Sequence, residues 1–192
     1  MTRATAAADG SAASPAKFGL SGKLLVLTTL FVMIAEVLIY VPSIANFRLN
    51  WLNDRLAAAH TAALVLDAAP SGMVPESLAR QILQSVGARA VAMKMGTKRR
   101  LLAVSQMPDT IQNDIDMRDV SWFHAIVDAF DTLLSRDNDM MRVVGPAPMG
   151  GDFLEIVLDE RPLRQAMVRF SINIMLLSLV ISGITEIGRA HV

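Results

Sequence analysis

The sequence predicts an α+β protein: two transmembrane helices flanking a domain built from a small antiparallel sheet and long stalk helices. Three observations carry that expectation. Apolar residues make up 53% of the 192-residue chain and charged residues only 19%, and the mean hydropathy is +0.42, too apolar for an average soluble domain. The longest apolar runs lie towards the two ends. Between them, residues 42–169 carry 14 basic and 15 acidic side chains, a near-neutral segment long enough to bury its own core.

Composition also excludes classes of function. Lys and Arg number 18 against 18 Asp and Glu, so there is no basic field to hold a phosphate backbone, and nucleic acid is not an expected partner. The absence of cysteine removes disulfide scaffolds, thiolate zinc sites and thiol catalysis together.

Residues 1–20 open with Ala, Ser, Thr and Gly, too few large apolar groups to offset the entropy of ordering, and are expected to form a flexible tail. Residues 21–42 hold the first span. Its core, Leu24 to Val41, is 18 residues with a single charge, Glu36, nearly enough to cross a hydrocarbon layer of about 30 Å. Lys17 and Lys23 precede it, which places the N-terminus in the cytoplasm by the positive-inside rule. Ser43 and Ala45 also offer a signal-peptidase-like site, but the apolar run exceeds the ~7 to 15 residues of a signal core.

Residues 43–169 are the expected folded domain. Ser43 is placed to cap a helix that continues the first span, with Ile44, Phe47, Trp51, Leu52, Leu56, Ala59, Ala63 and Leu66 at spacings of three and four. Pro70, Ser71 and Gly72 break it. A second helix starts near Pro75, buries Leu78, Ile82, Leu83 and Val86, and stops at Gly87. Val91, Met93 and Met95 alternate with polar or small residues, a turn follows at Gly96, Thr97 and Lys98, and residues 100–105 return as a hairpin closed by Pro108. A polar stretch with Asp109, Asp114, Asp116 and Asp119 leads to a helix with Trp122, Ile126, Phe130 and Leu133 on one stripe, ended by Asp137, Asn138 and Asp139. Residues 140–144 and 153–158 form a second hairpin around Pro146, Pro148, Gly150 and Gly151. After Pro162 a last helix runs through Leu163, Met167 and Phe170 into a second apolar segment.

That segment, residues 170–185, is about four residues short of a comfortable span, and Glu186 to Val192 bring in an acid, a Gly, an Arg and a His. These seven residues can be encoded by GAG ATC GGA AGA GCA CAC GTC, a common short-read sequencing adapter whose next triplet is a stop. Residues 186–192 are therefore expected to be a non-native tail on a protein interrupted within its second transmembrane helix, a genuine short tail being the other possibility.

This order of elements resembles the N-terminal sensory half of a bacterial two-component sensor histidine kinase of alphaproteobacterial type, its periplasmic domain similar to the PAS-like or Cache group. The similarity is carried by GKLLVLTTLFVMIAEVLIYVPSIANFR (Gly22 to Arg48), LDERPLRQAM (Leu158 to Met167) and FSINIMLLSLVISGIT (Phe170 to Thr185). It implies a homodimer in the inner membrane that responds to a periplasmic signal. It also implies ATP and Mg in a kinase part absent from this fragment, and a cognate response regulator. An input region of a chemoreceptor or cyclic-nucleotide enzyme, or a membrane-tethered binding or assembly protein, are the alternatives. No catalytic residue is expected: the family's phospho-accepting His and ATP-binding boxes are missing, and His60, His124 and His191 lack that setting. No phosphate loop or nucleophile elbow occurs.

In domains of this kind a ligand pocket lies between sheet and helices. Trp122, Phe123 and His124 supply two aromatics beside an imidazole, and Lys94 and Arg142, on expected strands, suit a carboxylate. Core packing for the aromatics and solvent exposure for the two cations are the competing reading. No metal site is expected: the aspartates from Asp109 to Asp119 lack the Gly and terminal Glu of a calcium loop and read as a solvated stretch. Lys98, Arg99 and Arg100 keep a turn wet or catch an anion. Glu36, an acid within a span, either packs or signals. Ala58, Ala59, Ala62 and Ala63, with Ser178 and Ser182, would let helices approach closely in a dimer, or serve helix propensity alone.

Overall fold

A computed structural model describes residues 19–67, 75–95, 98–104, 113–135, 140–147 and 150–190. The N-terminal tail, the Pro70–Gly72 break, the Gly96–Thr97 turn, Pro108, Asp109, residues 137–139, Pro148 and His191 lie outside the described residues. The elements are, in order, α1 (Leu20–Asp67), α2 (Glu76–Val86), β1 (Ala90–Met95), β2 (Lys98–Val104), β3 (Asn113–Asp116), α3 (Trp122–Leu134), β4 (Met140–Gly145), β5 (Phe153–Asp159) and α4 (Glu160–Ala190). The chain divides into two units between Leu38 and Ile39.

The first unit is the N-terminal part of α1. Its large apolar side chains, among them Leu24, Phe31 and Leu38, are exposed to the surroundings, as a lipid-facing helix requires. Thr28 and Thr29 return their hydroxyls to the carbonyls of Leu24 and Leu25, so neither presents an unsatisfied donor. Two helices of the chain, α1 and α4, are long and apolar enough to cross a membrane.

In the second unit α1 continues without a break. Pro42 lies inside the helix, where it withholds one backbone donor, and Ser43 is not a cap: its hydroxyl donates to the carbonyl of Ile39 at 2.6 Å. One turn later the helix turns amphipathic. Ile44, Leu52, Leu56, Ala59 and Ala63 are buried, with Phe47 and Trp51 packed beside them. The alanines expected to open a dimer seam, Ala59, Ala62 and Ala63, are used in this internal core.

The helix α2 ends as expected at Gly87, whose φ of 72° suits a residue without Cβ. Gly87 N–H donates to Gln84 and Ala88 N–H to Leu83, a Schellman closure. Leu83 and Val86 are buried, whereas Leu78 is exposed.

The sheet has five strands in the order β2-β1-β5-β4-β3. Four are antiparallel, as expected, but β3 pairs parallel to β4. The wholly antiparallel expectation fails because α3 provides a crossover between β3 and β4, the connection that parallel neighbours need. The acidic stretch is thus partly an edge strand, and of its four residues only Ile115 packs on the core. One sheet face, with Val91, Met93, Leu154, Ile156, Leu158, Met141 and Val143, joins the core cluster with residues of α1, α2, α3 and α4. Pairing places Lys94, Phe153, Glu155, Arg142, Asp114 and Asp116 on the other.

Candidate functional site

Helical periodicity drives one charge into the interior. Ile44, Leu52 and Leu56 occupy one stripe of α1, and Arg48, four residues from each of the first two, falls on the same stripe. It is 4% exposed. α3 meets it with its own inward positions: Ala125, Ala129 and Thr132 are buried. Arg48 Nε donates to Thr132 Oγ1 at 3.2 Å, and Nη1 reaches Asp128 Oδ2 at 3.5 Å. Glu160, the first residue of α4 and also 4% exposed, and Asp131 add their charges to the surroundings of this guanidinium.

These residues, with Asn113 and Asp114 of β3 and with Ser135, line a cleft of about 330 Å³. Its walls therefore come from α1, α3, the start of α4 and the edge of the sheet. A second arginine ties α3 to α4: Arg164 donates to the carbonyl of Ser135, the residue that closes α3. Further along, Tyr40 and Ser171 share a hydrogen bond of 2.6 Å between α1 and α4, and Phe47 stacks on Phe170 with centroids 4.5 Å apart.

The residues singled out from sequence are placed differently. Trp122 and Phe123 meet edge to face at 4.9 Å but are 59% and 72% exposed, and His124 is exposed beside them. Lys94 and Arg142 sit together on the sheet face opposite the helix-covered core. The structure thus brings Lys94 and Arg142 to one face and leaves Trp122 and His124 on the outside of a helix that packs on the other. The pocket expected between sheet and helix from these four is not formed by them.

Arg142 is moreover fully engaged. Its Nε lies 2.6 Å from Glu155 Oε2 and its Nη1 2.7 Å from Asp114 Oδ2. Partial burial works against its charge, but the hydrogen bonds and charges of Glu155 and Asp114 outweigh this and hold it more firmly protonated than an ordinary arginine. Lys94 places Nζ 5.3 Å from the centroid of the Phe153 ring, and Arg118 lies 5.5 Å from it. Arg118 also grips Asp116, whose carboxyl its hydrogen bonds push down to about 2. Glu36 lies on the part of α1 fit to cross a membrane. Among the described residues no group of three or more His, Cys, Asp or Glu side chains is arranged to hold a metal ion.

The cleft residues Arg48, Asp128, Asp131, Thr132 and Glu160 escaped the sequence reading. One signal was present: a lone arginine on the apolar stripe of an otherwise regular amphipathic helix. No family model, curated protein or solved structure matches the chain.

Proposed function

We propose that this chain is the signal-sensing, membrane-spanning input region of a two-component sensor histidine kinase in the bacterial inner membrane. Its central domain is periplasmic and PAS-like or Cache-like, it works as a homodimer, and the kinase part, with ATP, Mg and the response regulator it serves, belongs to sequence beyond residue 185. One observation supports this above the others. The cleft is walled by both helices that continue towards the membrane, and α3 is tied to each by an arginine, Arg48 from α1 and Arg164 from α4.

The mechanism follows from that placement. A signal that binds one arrangement of α3 more tightly than another biases α1 against α4, and only that difference in affinity does work. The experiment is to read the gene past residue 185. The expected continuation completes the apolar run, turns basic, and encodes a dimerising helix with a phospho-accepting His and ATP-binding boxes. A genomic locus that encodes residues 186–192 and then a stop overturns the kinase assignment in favour of a membrane-tethered binding protein.

A further inference from the structure

Arg48 and Asp131 make opposite demands within one cleft. Arg48 is a buried guanidinium using only Nε and Nη1, the latter in a 3.5 Å contact, and Nη2 donates to no partner among the described residues. Asp131 makes no ion pair among the described residues. An anion alone would meet Asp128, Asp131 and Glu160, and a cation alone would leave the donors of Arg48 idle. A molecule carrying both charges answers both. Asp128 and Glu160 already surround the guanidinium, so a singly charged anionic end is favoured over a dianion.

We infer that the cleft binds a small zwitterionic group, its singly charged anionic end on Arg48 and a primary ammonium on Asp131. Charge-assisted hydrogen bonds at both ends supply orientation as well as affinity, and the cleft volume of about 330 Å³ lies at the small-ligand end of known pockets. Two sources carry this chemistry. Arg48 lies seven residues beyond Val41, roughly 10 Å along the helix at ~1.5 Å per residue. That is close to a headgroup layer roughly 5–7 Å deep per leaflet, so an ethanolamine phospholipid is one source and a free solute the other. The inference rests on the sensing reading only for what occupancy would accomplish. Binding is measured without any kinase output, so a chain that binds but transmits nothing would keep this inference and lose that reading.

The test uses the whole chain in nanodiscs. The soluble probe is sn-glycero-3-phosphoethanolamine, added to phosphatidylcholine discs, whose quaternary ammonium has no N–H to donate. Calorimetric binding of the probe, about tenfold or more tighter than ethanolamine or inorganic phosphate alone, supports the site and a free ligand. No probe binding, but a raised Tm in phosphatidylethanolamine discs, supports the site and a lipid headgroup. In either case Asp131→Asn, on the solvent side of α3, should reduce the effect about tenfold while the unliganded chain keeps its Tm, and Arg48→Lys should reduce it with the fold retained. Phosphate alone binding as well as the probe, an effect unchanged in Asp131→Asn, or no response in either disc overturns the inference.

Discussion

Arg142 and Arg48 are both drawn away from solvent, and the protein treats them in opposite ways. Arg142 sits on the sheet with all three guanidinium nitrogens in use: Nε and Nη2 on Glu155, Nη1 on Asp114. The triad crosses three neighbouring strands, β3, β4 and β5. Arg48 sits between helices with one neutral partner, one long contact to Asp128, and a cleft beside it. A closed ionic network fixes strand pairing and has nothing left to offer a ligand. An open one stabilises less and keeps donors in reserve, so the buried arginine with the poorer geometry is the better functional candidate.

The largest loss of stability is expected from Arg142→Ala. Glu155 is 3% exposed, and removing its guanidinium partner should cost about 3–5 kcal/mol, the usual consequence of leaving a buried charge behind. Denaturant unfolding in micelles would measure it. A loss below about 1 kcal/mol would mean that the triad is surface decoration. Gly145→Ala sets the scale for an ordinary packing error in the same strand. A Cβ there would stand 2.8 Å from Leu56 Cδ1, and such overpacking costs about 1–3 kcal/mol.

Arg48→Met should fall below Arg142→Ala. The substitution removes a buried charge and keeps much of the volume, and Asp128 and Asp131 retain access to water, but Glu160, 4% exposed, loses a neighbouring positive charge. A loss of about 1–3 kcal/mol is expected. A loss as large as that of Arg142→Ala would make Arg48 a structural residue and remove the reason for treating the cleft as a site.

These variants also mark where sequence was readable. The end of α2 at Gly87, both hairpins and the run of α4 from the sheet into an apolar segment were legible, because glycine chemistry and periodicity of two or 3.6 act locally. The face of α3 was legible in part: of the expected stripe, Ile126, Phe130 and Leu133 pack against the core and Trp122 does not. The most deeply buried positions are the small residues Ala125, Ala129 and Thr132, which apolar periodicity alone does not single out. β3 was missed for a related reason. An edge strand buries little, so three of its four residues are free to be polar, and its pairing with β4 depends on a partner 28 residues away, Arg142 for Asp114.

The smallest effect expected belongs to the exposed ion pair of Arg118 and Asp116 on the charged sheet face. Arg118 donates from its side chain and its backbone N–H to Asp116, at 2.9 and 3.0 Å to Oδ1, and the side-chain and then the backbone hydrogen bond push the carboxyl from 3.8 down to about 2. A depressed carboxyl stabilises the fold at pH values above its unfolded pKa, and the contribution fades as pH falls through the folded one. The window is therefore roughly pH 4 down to 2. Both side chains are nearly half exposed, so solvent screening keeps the energy small, as it does for most surface pairs. Carboxyl NMR of Asp116 should show a midpoint near 2 in the native chain and a return towards the ordinary value in Arg118→Gln, with almost no change in stability at pH 7. A wild-type midpoint near 3.8 would show that the pair does not persist in solution. That outcome would leave the Arg142 triad and the Arg89–Asp159 pair, at 2.9 Å, as the firmly held charges on this face and widen the contrast with Arg48.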